Sequence, residues 1–336
     1  MKNKNWKTLI IVLFIIGVLS VILLTNWAIL QLNTNTEIIV ETKEVHYELP
    51  ELTAPQNTYA SLSVPTCFTR INGWYFLVDC YHNQILVNDN VEEPIANWHV
   101  MTSDMQAGHT IAGDGRVYLA DDTENNRVLV FTEENGTFTE SQVFEQVGNR
   151  PHFVVYDKEL ELFYVWSSMS GEMYRYRREA DSDQVVLDSI LTLPELNGVY
   201  VRSFTIIDDD IYLPTADGRI FVTDKNTLAV KETWQVPAEI AGMVQIMKEG
   251  NYFYLTVSTD VNGNQDYATI IRTRSLKKLS QGKYTDIYSH FVGGGTPYYM
   301  GQVDGRFYLT EHRLTDHALW SFHIKRDKLT DVEAVY

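Results

Sequence analysis

The chain has 336 residues, with 44 acidic and 27 basic side chains and a formal net charge of -17. Such an acidic balance excludes nucleic acid as the expected partner, because binding to a phosphate backbone needs a basic surface. The length suits one large domain or two ordinary ones.

Residues 1–32 predict a membrane anchor. Three lysines precede an apolar run from Leu9 to Leu24, which continues less purely to residue 32 and approaches the roughly 20 residues that cross a bilayer. Because the lysines lie before the run, the positive-inside rule predicts a single-pass cell-membrane protein with an extracytoplasmic C-terminal domain in the cell envelope. A cleaved signal peptide is the alternative, although no small-x-small cleavage site follows the run.

Residues 33–62 predict either a linker or a ring-closing strand. The stretch Thr36–Leu49 alternates in the manner of a strand. Residues 1–32 hold three lysines and no acid, so the remainder of the chain carries a formal charge of -20. That charge opposes close docking onto an anionic membrane surface.

Six copies of one strand–turn–strand pattern fill the rest of the sequence. Each copy has an aromatic residue followed by Leu or Val. These Leu and Val markers are Leu77, Leu119, Val165, Leu213, Leu255 and Leu309. They lie 42 to 54 residues apart, and a period of about 40 to 50 residues is typical of four-stranded propeller blades.

Each marker has a further strand and a tight Gly- or Asp-containing turn before it, and a weaker fourth strand follows the third. The pattern therefore predicts an all-β, six-bladed propeller of four-stranded antiparallel blades over residues 63–336. No helix is expected after the anchor.

The second copy, "DDTENNRVLVF", carries a specific motif. Asp122, Asn125 and Arg127, followed by a β-branched residue, resemble the NHL repeat signature. We expect the Asp and Asn to cap the loop backbone and the Arg to pair with the acid. The first copy, "DCYHNQILV", matches in part, and the other four keep only the strand pattern.

The resemblance implies two kinds of propeller enzyme. Similar members of the superfamily include amidating lyases with channel histidines on zinc, and gluconolactonase-like hydrolases with acidic and Asn ligands. A metal-assisted lyase or hydrolase is therefore one functional class to consider for this chain.

Ligands of propellers usually bind at the central channel, where the innermost strands begin. Counting back from the markers predicts a ring of side chains there. The ring contains Cys67, His109, His152, Ser203, Gln245 and Tyr299, with Arg150, Arg202 and Tyr298 at its flanks.

His109 and His152, on adjacent blades, predict a shared divalent metal, Zn or Ca. Cys67 is a third ligand if it is reduced. The alternative is a water-filled polar channel whose histidines only form hydrogen bonds.

Arg150 and Arg202 would make the channel locally positive where the ring lies. Such a site suits a carboxylate, a phosphate or a uronic-acid sugar. Pairing of each Arg with a nearby acid is the alternative. The sixth copy places Glu311, His312, Arg313 and His317 on a loop that could form a pocket rim with Asp79, Asp121 and Trp166.

These patterns favour ligand recognition at the channel face. A carbohydrate or small anionic molecule is the preferred ligand, and an envelope protein is the second choice. The predicted ligand-binding residues are Arg150, Ser203, Gln245, Tyr298, His312 and Arg313. The rival is the metal-assisted enzyme, with Tyr299, Arg202 or Glu311 in acid–base or charge-stabilising roles. A passive envelope scaffold is the third interpretation, and a Cys67–Cys80 disulfide is left open.

Overall fold

The computed structural model describes residues 49–314 and 316–336. The predicted anchor and all but Leu49 of the predicted ring-closing strand lie outside this part of the chain. Within it, no helix is long and apolar enough to cross a membrane.

Six antiparallel sheets, each made of four strands consecutive in sequence, form the described domain. Blade 1 contains β1 (Pro65–Ile71), β2 (Trp74–Asp79), β3 (Gln84–Asn88) and β4 (His99–Thr102). Blade 2 contains β5 (Ile111–Gly113), β6 (Val117–Asp122), β7 (Arg127–Glu134) and β8 (Thr137–Phe144). Blade 3 contains β9 (Pro151–Asp157), β10 (Leu162–Ser167), β11 (Glu172–Arg178) and β12 (Val185–Thr192).

The second half of the domain repeats this order. Blade 4 contains β13 (Thr205–Ile207), β14 (Asp210–Pro214), β15 (Arg219–Asp224) and β16 (Val230–Gln235). Blade 5 contains β17 (Gly242–Glu249), β18 (Tyr252–Thr259), β19 (Thr269–Thr273) and β20 (Thr285–Asp286). Blade 6 contains β21 (Thr296–Val303), β22 (Arg306–His312), β23 (Leu319–Lys325) and β24 (Lys328–Ala334).

All six markers lie in the second strand of a blade, so the predicted all-β six-bladed propeller is confirmed. The expectation of no helix needs a small correction, because the insertion before β20 forms one short helix, α1 (Leu276–Leu279). Single 3₁₀ turns occupy Cys80–His82, Ile95–Asn97, Pro194–Leu196, Ala238–Ile240, Gln265–Tyr267 and Tyr288–His290.

The apolar core lies between blades. One buried cluster joins each successive pair of blades, including blade 6 and blade 1, where Phe68, Leu86 and Trp98 pack with Tyr308 and Leu319. Since every blade buries both faces against its neighbours, the strands show the continuous apolar runs expected of propeller blades.

In the NHL-like motif the predicted Arg–Asp pair forms, but Asn125 bonds the Asp122 side chain rather than the loop backbone. Arg127 Nε donates to Asp122 Oδ2 at 2.8 Å, and Asn125 Nδ2 donates to the same carboxylate at 3.0 Å. The carboxylate also accepts the backbone N–H of Gln106 at 2.7 Å. The Asp122 side chain therefore joins the segment before β5 to the turn between β6 and β7.

The described residues before β1 run along the outer edge of blade 1. Val100 N donates to Pro55 O at 2.7 Å, and Gln56 forms an antiparallel bridge with His99. Leu49 packs beside Gly73, in the turn between β1 and β2. This segment therefore extends the outer edge of the first sheet.

Candidate functional site

A cavity of about 430 Å³ opens at one end of the propeller channel. Its walls are formed by residues at the start of first strands and at the end of second strands. These two strand ends lie side by side because the strands are antiparallel. The lining residues are Ser63, Val64, Thr66, Cys80, Tyr81, His109, Tyr200, Arg202, Ser258, Thr259, Gln265, Thr296, Tyr298, His312 and Arg313. We call this cavity the mouth pocket.

The mouth pocket is cationic although the protein is acidic. Its lining contains two arginines and no Asp or Glu. Arg202 donates to the carbonyl oxygen of Met243 at 3.3 Å, and its guanidinium lies 4.7 Å from the ring centroid of Tyr200. Among residues 49–314 and 316–336, no carboxylate lies within 4 Å of Arg202. Most of the five guanidinium N–H groups therefore remain available to a ligand.

Further polar groups line the same cavity. Arg313 donates to Gln265 Oε1 at 3.2 Å and to Gly295 O at 2.5 Å, again without a carboxylate partner in the described chain. Thr296 is 6% exposed, and its Oγ1 has no hydrogen-bond partner among the described residues. A buried hydroxyl without a partner costs free energy unless a ligand or water satisfies it.

The acids nearest the mouth pocket are occupied elsewhere. Asp79 accepts the backbone N–H groups of Ser63 and Val64, and Asp121 accepts those of His109 and Thr110. Both carboxylates are fully buried. The predicted rim role of Asp79 and Asp121 is therefore wrong, because these side chains hold the strand entries rather than face the cavity; the likewise predicted Trp166 is also buried.

A column of stacked rings lies at the base of the mouth pocket. His152 stacks on His109 with centroids 3.6 Å apart, and Tyr298 stacks on His312 at 4.5 Å. His109 and Tyr298 join the two pairs at 6.2 Å. Burial lowers the pKa of His312 to about 3 and holds the pKa of His152 well below its usual range. Both imidazoles are therefore neutral at pH 7.

The histidine pair does not fit a shared metal ion. The two rings lie face to face with 24° between their planes, so their in-plane lone pairs do not converge on one point. No group of three or more His, Cys, Asp and Glu side chains in the described chain has a metal-binding arrangement. The zinc or calcium prediction gains no support from these donors.

The predicted ring divides between the two ends of the channel. Cys67 and Tyr299 line a separate cavity of about 260 Å³ at the opposite end, and Gln245 lines another beside Tyr299. These cavities share no lining residue with the mouth pocket. The structure therefore brings His109, Arg202, Tyr298, His312 and Arg313 together and separates them from Cys67, Gln245 and Tyr299.

Three other predicted residues make structural contacts. Arg150 pairs with Glu124 at 2.5 Å, so the predicted alternative of pairing with an acid holds for Arg150 and not for Arg202. Ser203 donates to Val244 O at 2.6 Å, across to the next blade. Gln245 likewise bonds both the N–H and the carbonyl of Met300, at 2.6 and 3.0 Å.

Glu311 is buried behind the mouth pocket. Its carboxylate accepts Trp320 Nε1 at 2.7 Å and the Tyr288 hydroxyl. Burial raises the pKa of Glu311. These contacts hold the connection between blades 5 and 6, and they leave the carboxylate pointing away from the cavity lining.

Both cysteines are free thiols. Cys67 belongs to the apolar cluster between blades 1 and 2, whereas Cys80 Sγ lies 3.8 Å from His109 Nε2. The two side chains thus face different environments and form no disulfide.

Sequence inspection missed Tyr81, Tyr200 and Thr296. Tyr81 is 71% exposed at the rim of the mouth pocket. Tyr200 OH lies 2.9 Å from His152 Nε2. Tyr81 follows β2, Tyr200 lies in the connection that leads to β13, and Thr296 begins β21. Comparing the ends of second strands and the approaches to first strands across the six copies could have identified them.

No protein-family model matches the chain. No curated protein sequence matches it either. The NHL resemblance therefore rests on its motif alone.

Solved structures with a similar fold do exist. A candidate 6-phosphogluconolactonase from Bacteroides uniformis is 12% identical, with a TM-score of 0.55 over 77% of this chain and 80% of that chain. A second candidate 6-phosphogluconolactonase, from Bacteroides fragilis, is 12% identical, with a TM-score of 0.56 over 77% of this chain and 79% of that chain. A streptogramin B lyase is 13% identical, with a TM-score of 0.55 over 82% and 84%.

The fold and these neighbours place the chain in the class of six-bladed β-propellers. Identities this low establish a shared fold and no shared activity.

Proposed function

We propose that this protein binds a small carboxylate-bearing molecule, of the acidic-sugar class, in the mouth pocket. The observation that carries the proposal is the Arg202 guanidinium, which lines the cavity without a carboxylate partner in the described chain. Guanidinium groups bind carboxylates through two parallel hydrogen bonds.

The rest of the pocket supports a sugar acid in particular. Its volume of about 430 Å³ lies in the range of small-molecule sites. Hydroxyl groups of Ser258, Thr259 and Thr296 line the wall, and Tyr81 offers an exposed ring at the rim. Such hydroxyls suit sugar hydroxyl groups, and an aromatic face suits a sugar ring.

Titration calorimetry of the full chain with glucuronate and with glucose tests this proposal. We expect glucuronate to bind more tightly than glucose, and Arg202→Gln to weaken glucuronate about 10- to 100-fold, the equivalent of about 1.5–3 kcal/mol for hydrogen bonds to a charged group. Glucose binding should change little.

Arg116→Gln is the matched control, because it removes the same charge from a side chain that is half exposed and pairs with Asp183. An equal loss in both variants would mean that only net charge matters. That outcome, or equal affinity for glucose and glucuronate, would refute the proposal.

We also propose that residues 1–32 anchor the protein in the cell membrane with the propeller on the extracytoplasmic side. The three lysines before the apolar run support this orientation. Protease added to intact cells should digest the propeller of the full chain, and deletion of residues 1–32 should move the protein into the soluble fraction. Protection from protease in intact cells would contradict the orientation.

A further inference from the structure

Cys80 and His109 meet in the wall of the mouth pocket. Cys80 follows β2 of blade 1 and His109 precedes β5 of blade 2, and both line the cavity. The Sγ atom lies 3.8 Å from Nε2 of the imidazole. A thiol at this distance from a ring nitrogen is within the looser range seen for nucleophile–base pairs without a bound substrate.

The opposite side of the imidazole fixes its tautomer. His109 Nδ1 lies 2.9 Å from Thr123 Oγ1, and that hydroxyl lies 2.8 Å from both Asp121 Oδ2 and Pro151 O. A carboxylate and a carbonyl only accept, so one of them takes the hydroxyl hydrogen and Oγ1 accepts from Nδ1–H. The lone pair of Nε2 therefore faces Cys80.

Two further contacts surround this ring. Stacking on His152 at 3.6 Å fixes the ring plane. Asp121 Oδ2 lies 3.7 Å from His109 Nδ1 and is fully buried. This carboxylate therefore acts on the ring through the Thr123 hydroxyl, which it holds in place to accept from Nδ1–H.

We propose that Cys80 is a nucleophilic thiol, with His109 as its base, that forms a covalent bond to an electrophilic carbon of a carboxylate-bearing molecule in the mouth pocket. The preference for a carboxylate rests on the proposed function, whereas the pairing of thiol and imidazole does not. Burial raises the pKa of the Cys80 thiol to about 12. The resting thiol is therefore protonated, and its proton leaves as the new bond forms.

Iodoacetate is the probe for this step. A lone pair of Cys80 Sγ forms a bond to the methylene carbon, and the C–I bond breaks so that iodide leaves with its electron pair. The thiol proton moves to His109 Nε2 and then to water. The carboxylate of the probe is the group that Arg202 would hold.

Cys67 is an internal control. Cys67 is 3% exposed and Cys80 is 1% exposed, so both are buried. Burial raises the pKa of the Cys67 thiol to about 12, as it does for Cys80. No imidazole of the described chain hydrogen-bonds to it. A difference in reactivity between the two cysteines therefore reports the imidazole rather than burial.

The experiment treats the full chain with iodoacetate or iodoacetamide at pH 7 and follows each cysteine by peptide mass spectrometry. We expect Cys80 to react at least about tenfold faster than Cys67, and His109→Gln to slow Cys80 by at least about tenfold. Thr123→Val, which keeps the imidazole but removes its acceptor, should slow Cys80 less. Cys67 should keep its rate in both variants, and the Cys67 rate also reports whether a variant has loosened the fold.

Equal rates at the two cysteines, or an unchanged Cys80 rate in His109→Gln, would overturn the proposal. Arg202→Gln separates the two proposals. If it leaves the iodoacetate-to-iodoacetamide ratio unchanged while His109→Gln still slows Cys80, the carboxylate site is wrong and the nucleophilic thiol stands.

Discussion

His152 and His312 are polar residues that burial keeps neutral. His152 is fully buried, and His312 Nε2 lies 3.0 Å from Pro65 O, across the junction of blades 6 and 1. Burial is the main cause that lowers the pKa of both, and neighbouring His109 and Arg202 lower them further. Each imidazole therefore loses the ability to take a proton when the chain folds.

This loss predicts that acid destabilises the protein. A lowered folded-state pKa means that the unfolded chain binds protons first, so stability falls as pH falls through 6.5 toward the folded value of about 3 for His312. An imidazole that stays neutral in the folded chain lowers the free energy of unfolding by about 1.4 kcal/mol for each pH unit below 6.5. Between pH 6.5 and 5 His312 should therefore lower it by up to about 2 kcal/mol, and His152 should act in the same direction.

Urea unfolding at pH 7, 6 and 5 measures this effect, and His312→Gln should make the pH slope shallower. Asp188 and Asp217, whose pKa values are lowered, lose their contribution only below about pH 4. Glu311, whose pKa is raised, acts in the opposite direction. A slope unchanged by His312→Gln would contradict the assignment.

Residue roles were predictable only in part. The sequence indicates that Arg150 and Arg202 lie near the channel. The tertiary fold decides that Arg150 meets Glu124, whereas Arg202 meets no carboxylate of residues 49–314 and 316–336. Glu311 looks available in the sequence and is covered by Tyr288 and Trp320 in the structure.

At the scale of the strand, the marker positions were predictable because second strands are buried on both faces and keep an aromatic–aliphatic pair. The positions of side chains along the first strands were harder to predict. Register shifts interrupt β1 between Pro65 and Cys67, β17 between Met243 and Gln245, and β21 between Pro297 and Met300.

Counting back ten residues from a marker assumes that the turn between the first and second strands has one length. Two residues separate Ile71 from Trp74 in blade 1, whereas four separate Gly113 from Tyr118 in blade 2. The same count therefore reaches His109 at the start of blade 2 but Cys67, which pairs with Val78, inside the first strand of blade 1.

For the whole molecule, closure depends on the junction of blades 6 and 1. Blade 6 takes its fourth strand, β24, from the C-terminal segment. The last residue then crosses to blade 1, where the Tyr336 hydroxyl lies 2.5 Å from Val91 O and 2.7 Å from Glu93 O, and accepts from Trp98 Nε1 at 2.9 Å.

Removal of this hydroxyl tests the junction. Tyr336→Phe should lower the free energy of unfolding by about 1–3 kcal/mol, because it leaves the buried indole N–H of Trp98 with fewer partners. Tyr267→Phe, at a side chain that is 48% exposed, is the control and should change stability by less than about 0.5 kcal/mol. Equal effects in urea unfolding would show that the C-terminal residue does not hold the ring closed.

We propose that the mouth pocket, a cationic cavity at one end of the channel, binds a small carboxylate. A crystal structure of the full chain with a brominated carboxylate such as bromobenzoate would locate the ligand by anomalous scattering. We expect a bromine peak inside the mouth pocket and the carboxylate within hydrogen-bonding distance of Arg202. A peak at the Tyr299 end of the channel alone, or an empty mouth pocket at saturating ligand, would contradict it.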